Sequence, residues 1–393
     1  MSPAKGRKGE MDFTIPEEKK MLRETMVRFI EKECPKEIVR GLDEADVFPA
    51  EIFSKLAKLG VLGLTIPEEY GGSGRDLLSA ILVLEVISSR FPALGWAFVQ
   101  SVFYGGETIG KLGSEAQKRR YLPEIVSGSR LFSYALTEPG AGSDASSSQT
   151  FAAQDGDHFL LNGTKTFITG ADVAGTLNVL VRTNKNIPKH KGLSMFLIDS
   201  PAKGLTIRRI KKLGYKCSSF CEIVMENVRV GKEAILGGPE MVNQGWPQLL
   251  STLDVEHLEI AACGLGVAEG AYKEALQYAQ ERVQFDQPIG KFQAVSHKLA
   301  DLATEISASR LLNYHACWLM EKNLAAALES TQAKLFATET AKKAALAAVQ
   351  IMGGYGYSME FDAQRFLRDS LALPIGGGTS EILRNVIARK IGL

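Results

Sequence analysis

The hydrophobic positions in the first third of the chain recur with a helical period. Leu22, Met26, Phe29 and Ile30 stand at i, i+4, i+7 and i+8, which places their side chains on one face of a helix. Similar segments, separated by glycine and proline turn signals, continue to about residue 130. The pattern predicts an N-terminal α-helical domain over residues 11–130.

The period then changes to that of β-strands. Short apolar runs such as 195–198 lie between turn residues. The dipeptides Asp155-Gly156 and Asn162-Gly163 are typical of two-residue hairpin turns. We therefore expect a middle β domain over residues 131–236.

From residue 237 onward the pattern is helical again. Leu299, Leu302 and Ile306 mark a buried stripe, and long alanine-rich stretches indicate closely packed helices. This predicts a C-terminal helical domain over residues 237–393. The order of helices, strands and helices is an α+β arrangement.

Composition narrows the class of partner. The 393 residues carry 46 basic and 45 acidic side chains, a net charge of +1, which argues against nucleic acid or an anionic membrane surface as the main partner. No apolar run is long enough to span a bilayer. Residues 1–10 are polar and predict a flexible tail, not a signal peptide. We expect a cytoplasmic protein.

The cysteines and histidines do not predict a metal site. Five cysteines without zinc spacing, in a chain that needs no disulfide staples, are expected to be reduced and structural. The five histidines never form a His-x-x-x-His pair.

The most unusual local string is the glycine loop 137–144, Thr-Glu-Pro-Gly-Ala-Gly-Ser-Asp. Its small residues let backbone N–H groups approach an anion or a flat ring, although such a loop taken alone is more often a plain turn. Four further strings follow in order, at 165–170, 281–285, 350–357 and 378–382. Together the five motifs resemble the acyl-CoA dehydrogenase family from about Met11 to the C-terminus.

The resemblance implies an N-terminal α-helical domain, a middle β-barrel-like domain and a C-terminal four-helix bundle. It also implies a homotetramer that holds FAD noncovalently between subunits, an acyl-CoA substrate, and electron transfer flavoprotein as electron acceptor. The activity implied is introduction of an α,β double bond, with the α proton taken by a base and the β hydride by flavin N5.

Carried over residue by residue, the resemblance implies two sets of flavin contacts. The first set belongs to the middle domain and comprises Tyr134, Leu136, Thr137, Gly142, Ser143, Phe167 and Thr169. The second set belongs to the C-terminal domain and comprises Arg282, Phe285, Gln293, Gln350, Gly353, Gly354, Thr379 and Glu381. Arg282, Phe285 and Gln293 resemble residues that reach the FAD of a neighbouring subunit.

The catalytic base departs from the usual family pattern. Gly377 stands where most members have the catalytic glutamate, and glycine cannot abstract a proton. A minority of members, including isovaleryl-CoA dehydrogenase and the crotonobetainyl-CoA reductase type, carry the base in a Leu-Asp-x-Glu-Arg motif. Here Leu253 to Glu256 match that motif and His257 stands in place of its arginine, so Glu256 is the candidate base, with Glu259 as its nearest competitor.

The remaining contacts are expected on the substrate side. The N–H of Gly377 is retained as a donor to the thioester carbonyl, and the predicted substrate contacts are Ser143, Asp254, His257 and Gly378. His257 replaces the usual arginine, and a partly charged histidine is expected to substitute for it poorly. We hypothesise that the missing side chain at Gly377 leaves space for branched, cyclic or aromatic acyl groups.

Three alternatives stay open at this point. The same fold could run in reverse as an enoyl-CoA reductase, because the crotonobetainyl-CoA reductase type also has Gly-Gly here. An oxidase is disfavoured because acyl-CoA oxidases are generally much longer. A noncatalytic flavoprotein or assembly factor would bind FAD without turnover.

Overall fold

The computed structural model describes residues 14–393, and its elements follow the predicted order of helices, strands and helices. The α+β class is therefore confirmed. Along the described chain, no helix is long and apolar enough to cross a membrane. The tail over residues 1–10 lies outside the described residues.

The first part of the chain packs its helices around α4, which is buried on nearly all sides. Asp76 caps α4 by accepting a hydrogen bond of 3.0 Å from the backbone N–H of Ser79. Met26 and Ile30 of the predicted apolar face are buried. The helices are α1 (Glu17–Glu33), α2 (Lys36–Ala45), α3 (Ala50–Lys58), α4 (Leu77–Ser88), α5 (Pro92–Val99), α6 (Thr108–Leu112) and α7 (Glu115–Val126).

A π-helical segment, Gln100–Glu107, joins α5 to α6. Such segments disturb the regular backbone hydrogen bonds and occur often at functional sites. Two side chains satisfy the carbonyls involved, because Thr65 Oγ1 donates to Val102 O at 2.6 Å and Thr108 Oγ1 donates to Phe103 O at 3.1 Å. The segment is thereby held in its widened form.

The middle part is one curled sheet with strand order β1-β4-β2-β3-β7-β6, and β5 pairs with β4. β1 and β4 are parallel, whereas β3 pairs with β2 and β7 in antiparallel fashion. The strands are β1 (Phe132–Ala135), β2 (Phe151–Asp155), β3 (His158–Thr169), β4 (Thr176–Arg182), β5 (Leu193–Asp199), β6 (Leu205–Ile210) and β7 (Phe220–Gly231).

One of the two predicted hairpin turns is wrong. Asp155 pairs with His158 across a tight turn at Gly156, as expected. Asn162-Gly163 instead lies inside β3, where the register with β7 shifts between Leu161 and Gly163. Gly163 has a φ of +146°, and a Cβ there would lie 2.6 Å from Thr150 Oγ1. The glycine therefore marks a β-bulge with a close neighbour, which the dipeptide alone does not distinguish from a turn.

The last part is dominated by the three long helices α8, α9 and α10, which pack against one another, and α8 and α9 also pack against α4. Leu299, Leu302 and Ile306 are buried, as the stripe predicts. The five cysteines are all buried free thiols, as expected. The elements are α8 (Gly245–Glu281), β8 (Val283–Gln284), β9 (Gln287–Pro288), α9 (Gln293–Glu321), α10 (Ala327–Met352), α11 (Gly354–Tyr357), α12 (Ala363–Ser370) and α13 (Ser380–Lys390).

Arg368 of α12 connects all three parts. Its guanidinium donates to the Asp43 carboxylate of α2 at 2.6 Å and to the Leu213 carbonyl, between β6 and β7, at 3.1 Å. Asp369 next to it accepts the backbone N–H of Tyr215. These contacts fix the sheet against both groups of helices.

A buried ion pair anchors the glycine loop 137–144 to β3. The Lys165 ammonium group is fully buried and donates to Glu138 at 2.8 Å and to the Leu136 carbonyl at 2.9 Å. Burial alone would raise the pKa of Glu138, but Lys165 and hydrogen bonds from Ser148 and Thr150 outweigh it and hold the pKa at about 2. This contribution to stability is present above the ordinary pKa of 4.5 and is lost as the pH falls toward 2.

Replacing Lys165 with methionine tests this anchor. Lys165→Met leaves the Glu138 carboxylate buried without its cation, so the free energy of unfolding is expected to fall by about 3–5 kcal/mol in urea denaturation at neutral pH. The matched control is Lys189→Met, which removes an exposed ion pair to Asp144 in the same loop and should cost less than about 1 kcal/mol. Equal losses in the two variants would contradict the anchoring role.

Candidate active site

Glu256 lies well inside helix α8. The helix begins at Gly245 and not near Leu253, so Glu256 is not a solvated residue of the first turn. Its side chain is partly buried and lines a small pocket. Ile260, Cys263 and Val267 on the same face are buried, as the helical spacing predicts.

The cavity is formed where the π-helical segment, β1 and α8 meet. The π-helical segment contributes Phe103, Tyr104 and Glu107, and its widened turn directs these side chains toward α8. Tyr134 of β1 also lines the cavity, with its hydroxyl 2.7 Å from Thr108 Oγ1. The full lining is Phe103, Tyr104, Glu107, Thr108, Tyr134, Thr252, Val255, Glu256 and Glu259.

Gly377 lies beside Glu256. A Cβ built on Gly377 would be 3.0 Å from Glu256 Oε1 and 2.3 Å from Ile260 Cδ1. The position where most of the family carries its glutamate therefore converges on the carboxylate of Glu256. It also follows that the space left by the missing side chain is occupied by Ile260, so the expected room for branched or aromatic acyl groups is not found at this position.

Lys334 of α10 holds the loop that contains Gly377. Its ammonium group is fully buried and donates to the carbonyls of Gly376 at 2.6 Å and Gly378 at 2.7 Å, and also to that of Gly377. One cation thus binds three consecutive peptide groups. A buried ammonium group has three donors, and here all three are satisfied.

This arrangement directs the loop N–H groups away from Lys334. The carbonyl of Gly376 and the N–H of Gly377 belong to one trans peptide, so they point in opposite directions. Within residues 14–393, the N–H groups of Gly377 and Gly378 donate no hydrogen bond. The φ angles of +60° and +94° at these two positions are left-handed backbone conformations that favour glycine.

The electrostatics favour a carboxyl that can exchange a proton. Burial raises the pKa of Glu256, and Lys334 opposes the rise. Burial, together with the neighbouring Glu256, raises the pKa of Glu259 well above its ordinary value. A base with a raised pKa takes up a proton more readily than an exposed carboxylate.

The predicted substrate contacts are not all at this cavity. Asp254 is partly buried, and its carboxylate lies 3.4 Å from Ser330 Oγ of α10. Ser143 is exposed on the glycine loop, whereas Gly378 adjoins Gly377. The expected charge on His257 is wrong, because burial, aided by Lys334, lowers its pKa to about 3. His257 is a buried neutral ring beside Thr331 and does not replace an arginine electrostatically.

The first set of predicted flavin contacts lies around β1, β3 and the glycine loop. Phe167 is 55% exposed and has a φ of +60°, which is strained for an aromatic residue. Such strain is typical of functional sites. Leu136, Thr137 and Thr169 are half-buried near it, whereas Gly142 and Ser143 are exposed.

The second set is exposed along the C-terminal helices. Arg282, Gly353 and Gly354 line an open groove with Tyr278 and Tyr355. Phe285, Gln293, Gln350 and Glu381 are exposed, and Thr379 is half-buried and caps α13 through the N–H of Ile382. The ring of Phe285 is 87% exposed.

Comparison with known proteins agrees with this geometry. Family models of acyl-CoA dehydrogenase match the chain over 16–129 (N-terminal domain), 133–228 (middle domain) and 243–392 (C-terminal domain). The chain belongs to the acyl-CoA dehydrogenase family. It is a flavin-dependent oxidoreductase that acts on the CH–CH bond next to the thioester of an acyl-CoA.

Individual relatives cover nearly the whole chain. Probable acyl-CoA dehydrogenase YngJ of Bacillus subtilis is 40% identical over 97% of this chain and 100% of its own. The caffeyl-CoA reductase–Etf complex subunit CarC of Acetobacterium woodii is 38% identical over 95% of this chain and 97% of its own. Butyryl-CoA dehydrogenase from Megasphaera elsdenii has a TM-score of 0.93 and 33% identity, with coverage of 97% and 100%.

Sequence reasoning missed several groups at the acyl-CoA dehydrogenase site. Tyr104 and Glu107 were not singled out, although a polar pair inside an otherwise apolar helical run is a usable signal. Lys334 was missed because it lies in an alanine-rich helix, where lysine usually reaches solvent. Only the fold shows that Lys334 points at the carbonyls of residues 376–378.

Removing the Lys334 charge is expected to change both the rate and its pH dependence. Lys334→Met leaves three carbonyls unpaired and should lower kcat by about 100-fold or more, the usual effect of losing an oxyanion donor. It also removes the cation that opposes the rise in the pKa of Glu256, so the acidic limb of the kcat/KM profile should move to higher pH.

Two further variants separate the effects. Lys334→Gln keeps a donor for the loop but removes the charge, so the shift of the acidic limb should persist while part of kcat returns. Lys342→Met, on the same helix but paired with Glu339 at the surface, is the control. An unchanged pH profile in both Lys334 variants would show that the cation does not act on the base.

Proposed function

We propose that Glu256 is the base that removes the α proton of the acyl-CoA. One observation carries this assignment: a Cβ built on Gly377, the position of the usual family glutamate, would lie 3.0 Å from Glu256 Oε1. A carboxylate reaching the same point from α8 replaces the side chain that the loop lacks. Glu259, the competitor, lines the cavity one helical turn further along.

The other groups at the site polarise the thioester carbonyl and enclose the acyl chain. The N–H of Gly377, directed by Lys334, donates to the thioester carbonyl and stabilises the charge that develops there. Polarising this carbonyl acidifies the α proton, which then passes to Glu256. When bound, FAD supplies the acceptor for the hydride from the β carbon. The π-helical segment and Tyr134 close the acyl end of the cavity.

FAD is the proposed flavin, and the proposed assembly is a homotetramer. The middle-domain set around Thr137, Phe167 and Thr169 would hold the isoalloxazine ring. Phe285, on the exposed β8–β9 turn, and the groove at Arg282 would contact the FAD of a neighbouring subunit. The almost complete exposure of Phe285 in a single chain supports a contact made only on assembly.

Electron transfer flavoprotein is the proposed electron partner, and the cytoplasm is the proposed location. The relative from Acetobacterium woodii is named as part of a complex with Etf, which supports the partner. Five buried free thiols fit a reducing compartment. That relative is also named as a reductase, and the same carboxyl could return a proton to the α carbon in the reverse direction.

The test of the base is Glu256→Gln. The variant should retain FAD but reduce it at least about 100-fold more slowly when a saturated acyl-CoA is added without oxygen, because the amide cannot take the α proton. Stopped-flow absorbance of the flavin measures this step directly. Bleaching of the wild-type flavin in the same experiment also shows that the forward direction is accessible.

The control for Glu256→Gln is the same substitution at Glu240, an exposed glutamate before α8. Its flavin should bleach at the wild-type rate. If Glu256→Gln also bleaches at that rate, the base is another group. If no acyl-CoA bleaches the wild-type flavin, the chain is not a dehydrogenase under these conditions and the role of Glu256 has no support.

A further inference from the structure

The small pocket beside Glu256 has a polar atom on most of its lining side chains. Of its lining residues, only Phe103 and Val255 lack a polar side-chain atom. Binding sites for apolar groups are lined mainly by apolar side chains, with few polar atoms. The polar groups that have no protein partner therefore decide what the pocket can recognise.

Most polar groups of the lining already have protein partners. Glu107 accepts hydrogen bonds of 2.8–3.1 Å from Arg75. Tyr134 and Thr108 bond each other at 2.7 Å, and Thr252 Oγ1 donates to the Leu249 carbonyl at 2.9 Å. These side chains are already hydrogen-bonded within the protein and fix the walls of the pocket.

Glu259 is different. Its side chain is 1% exposed, and within the described chain its Oε1 atom has no hydrogen-bond partner. Leaving a buried polar atom unpaired costs about 1–3 kcal/mol. Lys334, the nearest cation, already donates to three loop carbonyls. A ligand group in the cavity would satisfy Glu259 where no protein group does.

The unpaired oxygen of Glu259 narrows the type of ligand. Its Oε1 atom needs a hydrogen-bond donor. A neutral hydroxyl group supplies a donor without adding a charge. An ammonium group would face the positive charge of Lys334, which acts on the same site.

The helix sets the distance between the two carboxyls. Glu256 and Glu259 are i and i+3 on α8, so their Cβ atoms are about 5–6 Å apart. If Glu256 meets the α carbon, Glu259 meets an atom about four bonds of roughly 1.5 Å further along a zigzag chain. A hydroxyl oxygen on the δ carbon is four bonds from the α carbon, and one on the γ carbon is three bonds away.

We propose that Glu259 binds a hydroxyl group on the acyl chain, and that the protein acts on acyl-CoA thioesters hydroxylated at the γ or δ carbon. The proposal rests on Glu256 being the base. It makes Glu259 a specificity-determining residue, not a second base. The α,β carbons react as in any acyl-CoA dehydrogenation, and the hydroxyl is unchanged.

The experiment compares two substrates of nearly equal shape. 5-Hydroxypentanoyl-CoA carries an oxygen where hexanoyl-CoA carries its terminal methyl group. Wild-type holoenzyme is expected to show at least about a 10-fold higher kcat/KM with the hydroxylated substrate, because a site built for a hydroxyl rejects the analogue that lacks it. In Glu259→Leu the preference should reverse, whereas Glu259→Gln should retain it.

Two results would overturn the proposal. Equal kcat/KM values for the two substrates in wild type, unchanged in Glu259→Leu, would mean that Glu259 does not contact the acyl chain. An equal loss of kcat on both substrates in Glu259→Leu would mean that Glu259 assists the proton on Glu256. If Glu259→Leu does not fold, the wild-type ratio and Glu259→Gln still decide.

The outcome is separable from that of the proposed function. Turnover of hexanoyl-CoA with no preference for 5-hydroxypentanoyl-CoA would contradict only the proposed role of Glu259. Failure of both substrates to bleach the wild-type flavin would also contradict Glu256 as the base and dehydrogenation as the direction of the reaction. Loss of bleaching in Glu256→Gln with an intact hydroxyl preference in wild type supports both.

Discussion

A single buried ammonium group organises the active site. Lys334 is completely inaccessible to solvent, and burying a charge costs free energy unless partners satisfy it. Its partners are the carbonyls of Gly376, Gly377 and Gly378, at 2.6 Å for Gly376 and 2.7 Å for Gly378. The interaction that stabilises the cation is therefore the same one that fixes the loop and directs its N–H groups.

Charge balance around Lys334 explains why two carboxyls can lie so close together. Burial lowers the pKa of Lys334 to about 8, and Glu256 and Glu259 oppose this shift. One cation compensates for one ionised carboxylate, and a second ionised carboxylate would repel the first. Burial raises the pKa of both carboxyls, and the neighbouring Glu256 adds to the rise at Glu259 whereas Lys334 opposes it at both.

Local patterns in the sequence predicted much of this structure. The helix, strand, helix order and the buried stripe at Leu299 follow from periodicity alone. Glu256 was singled out as the candidate base because the motif that contains it is short and lies within one helix. Gly377 was found because the loop motif around it is otherwise intact.

The remaining features depend on contacts between distant segments. The π-helical segment has no distinct sequence period, so its delivery of Tyr104 and Glu107 to the cavity could not be predicted. Lys334 and the loop at Gly377 are more than 40 residues apart, and their contact is set by how α10 packs under that loop. Asn162-Gly163 was mistaken for a turn because a β-bulge and a hairpin favour the same residues.

The unpaired carboxyl of Glu259 is best understood as a compromise between stability and binding. In the free protein it costs about 1–3 kcal/mol, which an apolar side chain at the same position would recover. Protein neighbours satisfy Glu107 and Glu138 in full, so this fold readily provides partners for buried acids elsewhere. An acid left without one, at the wall of the cavity and one turn from the base, is complementary to a ligand and to nothing in the described chain. That complementarity gives specificity, because an acyl group without a matching polar atom would keep Glu259 unpaired in the complex as well.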